Sequence, residues 1–98
     1  MSADDDNLRA LIERRQSTHG DFREVSRTSQ NLCAELERGA NWKNLQPFHQ
    51  EGLEMIQHKV ARILSGDPDF VEHWLDIAGY ATLVMTIILE EGATKCAE

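Results

Sequence analysis

Apolar residues recur along this chain at the three-and-four spacing of amphipathic helices, and no stretch alternates with the period of two that a strand requires. Leu8, Leu11 and Ile12 make one narrow stripe behind the run Asp4-Asp5-Asp6, which can cap a helix start, so a first helix is expected over about 5–16. Ser17-Thr18-His19-Gly20 then reads as a turn. Asp21 with Glu24 three residues later resembles a capping box, and Phe22, Val25, Ser29, Leu32, Cys33 and Leu36 form the buried stripe of a second helix over about 21–38, closed before Gly39. In the loop that follows, Trp42 is expected to fold back over the core. Pro47 is pre-organised for a first turn, and Phe48, Leu53, Ile56, Val60, Ile63 and Leu64 give a third helix, over about 47–65, its apolar face.

The fourth helix, expected over about 68–91 from the start signal Asp67-Pro68, has a different character. Phe70, Trp74, Ile77, Ala81, Val84 and Ile88 line one face, but Tyr80, Leu83, Met85 and Ile87 extend the apolar surface around most of the circumference. Such a helix is central or lies at a subunit interface. Residues 92–98 read as a disordered tail. The expected architecture is therefore all-α, a single helical domain over 1–98 with a four-helix bundle-like arrangement. A domain this small buries only about two-thirds of its unfolded surface, so a homo-oligomer assembled through helix four is expected.

Charge and cysteine usage narrow the setting. A formal net charge of -7 argues against polymeric nucleic acid as a partner, since that affinity comes from neutralising phosphates with Lys and Arg. A small anion needs only a local cluster, and Arg14, Arg15, His19, Arg23 and Arg27 supply one candidate. Cys33 falls on the second helix and Cys96 in the tail, with no zinc or disulfide spacing, which suits a reducing cytoplasm. The amino terminus carries aspartates where a secretory signal carries a basic and then an apolar region. The longest apolar run, Ile77 to Leu89, is about 13 residues and too short to span a bilayer, so no membrane role is expected.

Two residues of helix four do not belong in a buried helix by default. Asp76 sets a carboxylate on a semi-apolar face, and Gly79 costs about 1 kcal/mol against alanine in a helix interior. At 100° per residue, Asp69, His73, Asp76 and Tyr80 share one stripe. A tight turn near Gly66 makes helices three and four antiparallel, which brings Lys59 beside Asp76 as its partner and Arg62 near Val71 and Glu72. A bridge of this kind can simply hold two helices in register. With His73 and Tyr80 beside it, and Gly79 admitting a flat ligand, it can also form a pocket for a phosphate and a base. His19-Gly20-Asp21-Phe22 forms a second constellation at a helix start. There Asp21, as the cap, would occupy the backbone donors, leaving Arg14, Arg15 and Arg23 to meet an anion. A third possibility is metal-assisted hydrolysis, with Glu51 and Glu54 on helix three facing Glu72 and Asp76 on helix four around magnesium.

Thr18-His19-Gly20-Asp21-Phe22, His58-Lys59-Val60-Ala61-Arg62-Ile63-Leu64-Ser65-Gly66 and His73-Trp74-Leu75-Asp76-Ile77-Ala78-Gly79-Tyr80-Ala81 together resemble the signature of a family of small phage and prophage proteins of unassigned function. The resemblance spans roughly residues 10 to 88. It implies an oligomeric helical bundle distantly similar to the all-α, MazG-like nucleotide pyrophosphohydrolases, and marks His19, Asp21, Lys59, Arg62, Asp76, Gly79 and Tyr80 as motif positions. Those pyrophosphohydrolases carry a Glu-x-x-Asp where this chain has Glu72-x-x-x-Asp76. The leading expectation is a phage-type accessory protein of the host cytoplasm that binds a nucleotide or related phosphorylated molecule, sequestering a host defence signal, with no cofactor. Its ligand-binding set is His19, Asp21, Arg23, Lys59, Arg62, His73, Asp76, Gly79 and Tyr80. The alternatives are a magnesium-dependent pyrophosphohydrolase and a ligand-free inhibitor of a host protein.

Overall fold

The computed structural model describes the backbone of residues 3–97 and the side chains of residues 5–92. The chain is all-α: α1 (Ala3–His19), α2 (Phe22–Glu37), a single 3-10 turn (Trp42–Asn44), α3 (Pro47–Ser65) and α4 (Val71–Ala97). Among the described residues no strand forms. No helix among them is long and apolar enough to cross a membrane.

The central helix is α3, with α2 on one side and α4 on the other, while α1 meets the others chiefly through its last turn. Of the two places expected for α4, central or at a subunit interface, it is not central within one chain, where it packs on α3 as an outer helix. Both long pairings are antiparallel. Gln57 Nε2 of α3 donates to Ser29 Oγ at 3.2 Å and lies 2.9 Å from Cys33 Sγ, both on α2, and Lys59 Nζ lies 3.1 Å from Asp76 Oδ2 of α4. The α3–α4 pair can approach closely because Gly52 has no side chain, for a Cβ there would lie 2.5 Å from Val84 Cγ2.

Helix ends explain where the sequence pattern misplaces a boundary. Ser17 and Thr18 read as turn formers, but their hydroxyls donate back to the Arg14 and Arg15 carbonyls at 2.7 and 3.2 Å, so both stay inside α1. Gly20 ends the helix instead, at φ +86, with its N–H on the Gln16 carbonyl at 2.9 Å. At α4 the reverse occurs. The Asp67 carboxylate accepts from the Asp69 N–H at 2.9 Å and its carbonyl from the Phe70 N–H at 3.2 Å, a local turn that postpones the helix to Val71. α3 matches its expected bounds, with the Gln46 N–H donating to His49 Nδ1 at 3.1 Å ahead of Pro47. The expected tail from 92 is helical in backbone through Ala97, and the Asp4 and Cys96 side chains lie outside the described residues. Trp42 is half-buried beside α2, and its carbonyl accepts from Gln50 Nε2 at 2.9 Å.

The core of a single chain is slight. Among the described residues only Val25 and Ala61 are buried hydrophobic side chains, joined by buried Ser29, Gln57 and His73. The radius of gyration is 17.7 Å and the extents are 66 × 27 × 25 Å. A compact chain of this length would have a radius of gyration of about 13 Å.

Candidate functional site

The last turn of α1 is held against the α3–α4 connection by one carbonyl. Thr18 O accepts from the Asp67 N–H at 3.1 Å and from His73 Nε2 at 2.9 Å. A carbonyl can only accept, so the His73 proton is on Nε2. The His73 ring is 1% exposed and stacks edge-on against His19 (centroids 4.6 Å) and Phe70 (4.9 Å). Gly66 permits this approach, because a Cβ there would collide with the Thr18 carbonyl. His73 thus docks α1 onto the α3–α4 connection, and it is not among the residues lining the pocket described next.

Docking α1 in this way builds a pocket of about 170 Å³ from three helix faces. Ile12, Arg15 and His19 are one stripe of α1, Phe22 and Val25 come from the first turn of α2, and His58 and Arg62 are four apart on α3. Val25 closes the floor, while the Phe22 ring is 78% exposed at the rim. The polar walls are basic. Among the described residues neither Arg15 nor Arg62 is ion-paired with a carboxylate. Burial first, and this crowding second, lower the proton affinity of the groups here. Burial pulls His19 below the usual histidine range, reinforced by Arg15, His73 and Arg62 and opposed by its hydrogen bond to the Arg15 backbone. Burial likewise lowers His58, with Arg62 and Lys59 adding to it. Arg62 is lowered by burial and by Arg15, against the favourable pull of Asp76.

The remaining expected site residues separate from this pocket. Lys59 and Asp76 form the anticipated bridge, with side chains 14% and 44% exposed. Asp76, Gly79 and Tyr80 line a shallow, open depression with Leu75, Thr82 and Leu83 on the outer side of α4. Nothing lies within 4 Å of a Cβ built on Gly79, so no neighbour within the chain requires that glycine. Arg23 is exposed on α2 and does not line the pocket. Asp21 takes the N-cap position of α2, but its side chain makes no capping hydrogen bond, which corrects the expectation that it occupies the backbone donors there. Arg62, expected beside Val71 and Glu72, lines the α1–α2–α3 pocket.

Among the described residues no three His, Cys, Asp or Glu side chains are arranged to hold a metal ion. Glu51 and Glu72 are exposed, Glu54 is half-buried, and Asp76 is engaged by Lys59. As placed, these four carboxylates form no such group.

Sequence reasoning missed His58 and Phe22 as site residues. The available signal was the pairing of two i,i+4 basic sets, Arg15 with His19 and His58 with Arg62, either side of the Gly20 and Gly66 turns. Compared with protein-family models, curated proteins and solved structures, the chain finds no match.

Proposed function

We propose that the pocket between α1, α2 and α3 binds the phosphoryl group of a small nucleotide-like molecule and holds it without converting it. The observation that carries this reading is the convergence of Arg15, His19, His58 and Arg62 on one pocket, with neither arginine ion-paired among the described residues, in a chain of net charge -7. Clustered like charge is unfavourable when empty, and an anion relieves it. Charge-assisted hydrogen bonds from guanidinium to phosphate are among the stronger polar contacts available. At about 170 Å³ the pocket is below the roughly 300–1,000 Å³ that encloses a whole drug-sized ligand. It fits a phosphoryl group, with the rest of the molecule running outward over the exposed Phe22 ring, which offers a face for a base.

Two of the motif positions in the phage-type resemblance, His19 and Arg62, line this pocket, which supports a role in sequestering a phosphorylated signal. Titration calorimetry at low salt with inorganic pyrophosphate and with linear and cyclic nucleotides, with and without magnesium, tests it. Arg15→Ala and Arg62→Ala should each weaken binding about tenfold or more, and Phe22→Ala should weaken nucleotides but not pyrophosphate. Ligand recovered by chromatography should be intact, and Glu54→Gln should behave as wild type. Conversion that requires Glu54 would establish the hydrolase instead. Affinity for none of these ligands would leave the inhibitor of a host protein as the better account.

A further inference from the structure

The face shared by α3 and α4 on the side away from the basic pocket has the opposite chemistry. A groove of about 390 Å³ runs between the two helices, floored by Gly52, Ile56 and Val84. Leu53, Met85 and Leu89 stand along its edges, all substantially exposed. No charged residue interrupts α4 from Ile77 to Leu89, and Ile88 is 46% exposed beside the groove. We infer that a second copy of this chain docks on this face, α4 against α4 about a twofold axis, with apolar side chains of each copy seated in the other's Gly52 groove.

Three observations single out a second copy over other occupants. The first is that the chain's own core is slight, with only Val25 and Ala61 as buried hydrophobic side chains among the described residues to set against the conformational entropy of ordering the helices. A partner that covers this face as the chain folds adds to that core, and another copy is always supplied with the chain. Area is the second. The accessible surface is 7311 Å², whereas a compact monomer of this mass exposes about 5,700 Å². The excess of roughly 1,600 Å² over the whole elongated chain leaves ample surface for an interface of the size homodimers bury. Third, the face carries both elements an isologous interface needs, a groove and exposed ridges, so each copy can supply what the other lacks. Two chains of charge -7 repel one another, and this uncharged face is where they can meet with least repulsion.

Leu89 is 63% exposed in the single chain, so a glutamate there disturbs its internal packing little. Light scattering should give the wild type a dimeric or larger even-numbered mass at micromolar concentration. Leu89→Glu should reduce that mass to a monomer, while Leu8→Glu on the exposed stripe of α1 should leave it unchanged. If Leu89→Glu is too unstable to measure, the wild-type thermal midpoint decides: a rise of several degrees over a hundredfold increase in protein concentration supports the dimer. A monomeric wild type, a Leu89→Glu variant with the wild-type mass, or a midpoint independent of concentration overturns it.

Discussion

Lys59 and Asp76 are a pair whose two members are unequally placed, and that inequality has a measurable consequence. Lys59 is 14% exposed and Asp76 44%, so removing the carboxylate strands a largely buried ammonium, whereas removing the ammonium leaves a carboxylate that water already reaches. Asp76→Asn should therefore destabilise by about 1–2 kcal/mol and Lys59→Met by less than about 1 kcal/mol in chemical denaturation. Equal losses would mean that the two sites share one environment. His73 makes a different demand. His73→Phe keeps a ring against His19 and Phe70 but removes the donor to Thr18 O, which retains only the Asp67 N–H. The expected loss is about 1 kcal/mol, and it should appear as faster amide exchange confined to α1, because that carbonyl holds the helix to the rest of the chain. The pairing of Lys59 with Asp76 was legible from helical spacing alone. The role of His73 was not, since its partner is a backbone carbonyl 55 residues away and a carbonyl leaves no trace in residue identity.

At the level of elements, the helices were legible and their ends were not. The apolar periodicities of α2 and α3 locate them to within a residue, because each has one buried face and local capping signals. The carboxyl end of α1 was misplaced because Ser17 and Thr18 are ambiguous: the same hydroxyls that favour turns can bond to a preceding carbonyl inside a helix. Only the approach of Ser65 and Gly66 decides the matter, fixing Gly20 as the residue where the chain must turn. At φ +86 any L side chain is strained, and a Cβ at Gly20 would lie 2.6 Å from Ser65 Cβ. Gly20→Ala should consequently destabilise by more than the about 1 kcal/mol of a left-handed alanine, and it should also weaken ligand capture, since it displaces the turn that carries His19 and Phe22. A variant of normal stability and normal binding would show that the α1–α3 junction does not shape the pocket. The same junction explains why the basic pocket escaped the sequence. His58 and Arg62 lie on the polar side of α3 by periodicity, and they become pocket walls only when α1 and the start of α2 fold across them.

For the whole molecule, the basic pocket makes stability and binding respond to pH in opposite directions. His19 and His58 are both pulled below the value of 6.5 that they would have in the unfolded chain, by burial first and by neighbouring cations second. As pH falls through 6.5 the unfolded chain takes up these protons before the folded one does, so stability is fully present above 6.5 and declines as pH drops toward the lowered folded-state values. A phosphate in the pocket reverses the local balance, because an anion favours the protonated imidazoles that the empty pocket disfavours. Binding should then be accompanied by proton uptake, and affinity for pyrophosphate should rise as the pH is lowered from 7.5 to about 6 while falling with salt. Calorimetry in buffers of different ionisation enthalpy reads the uptake directly. His58→Gln should remove part of it and flatten the decline of the thermal midpoint below pH 6.5 in the absence of ligand. Pyrophosphate binding with no proton uptake, and with the same pH dependence in wild type and His58→Gln, would show that the anion binds elsewhere on the surface and that the cluster of Arg15, His19, His58 and Arg62 is not its site.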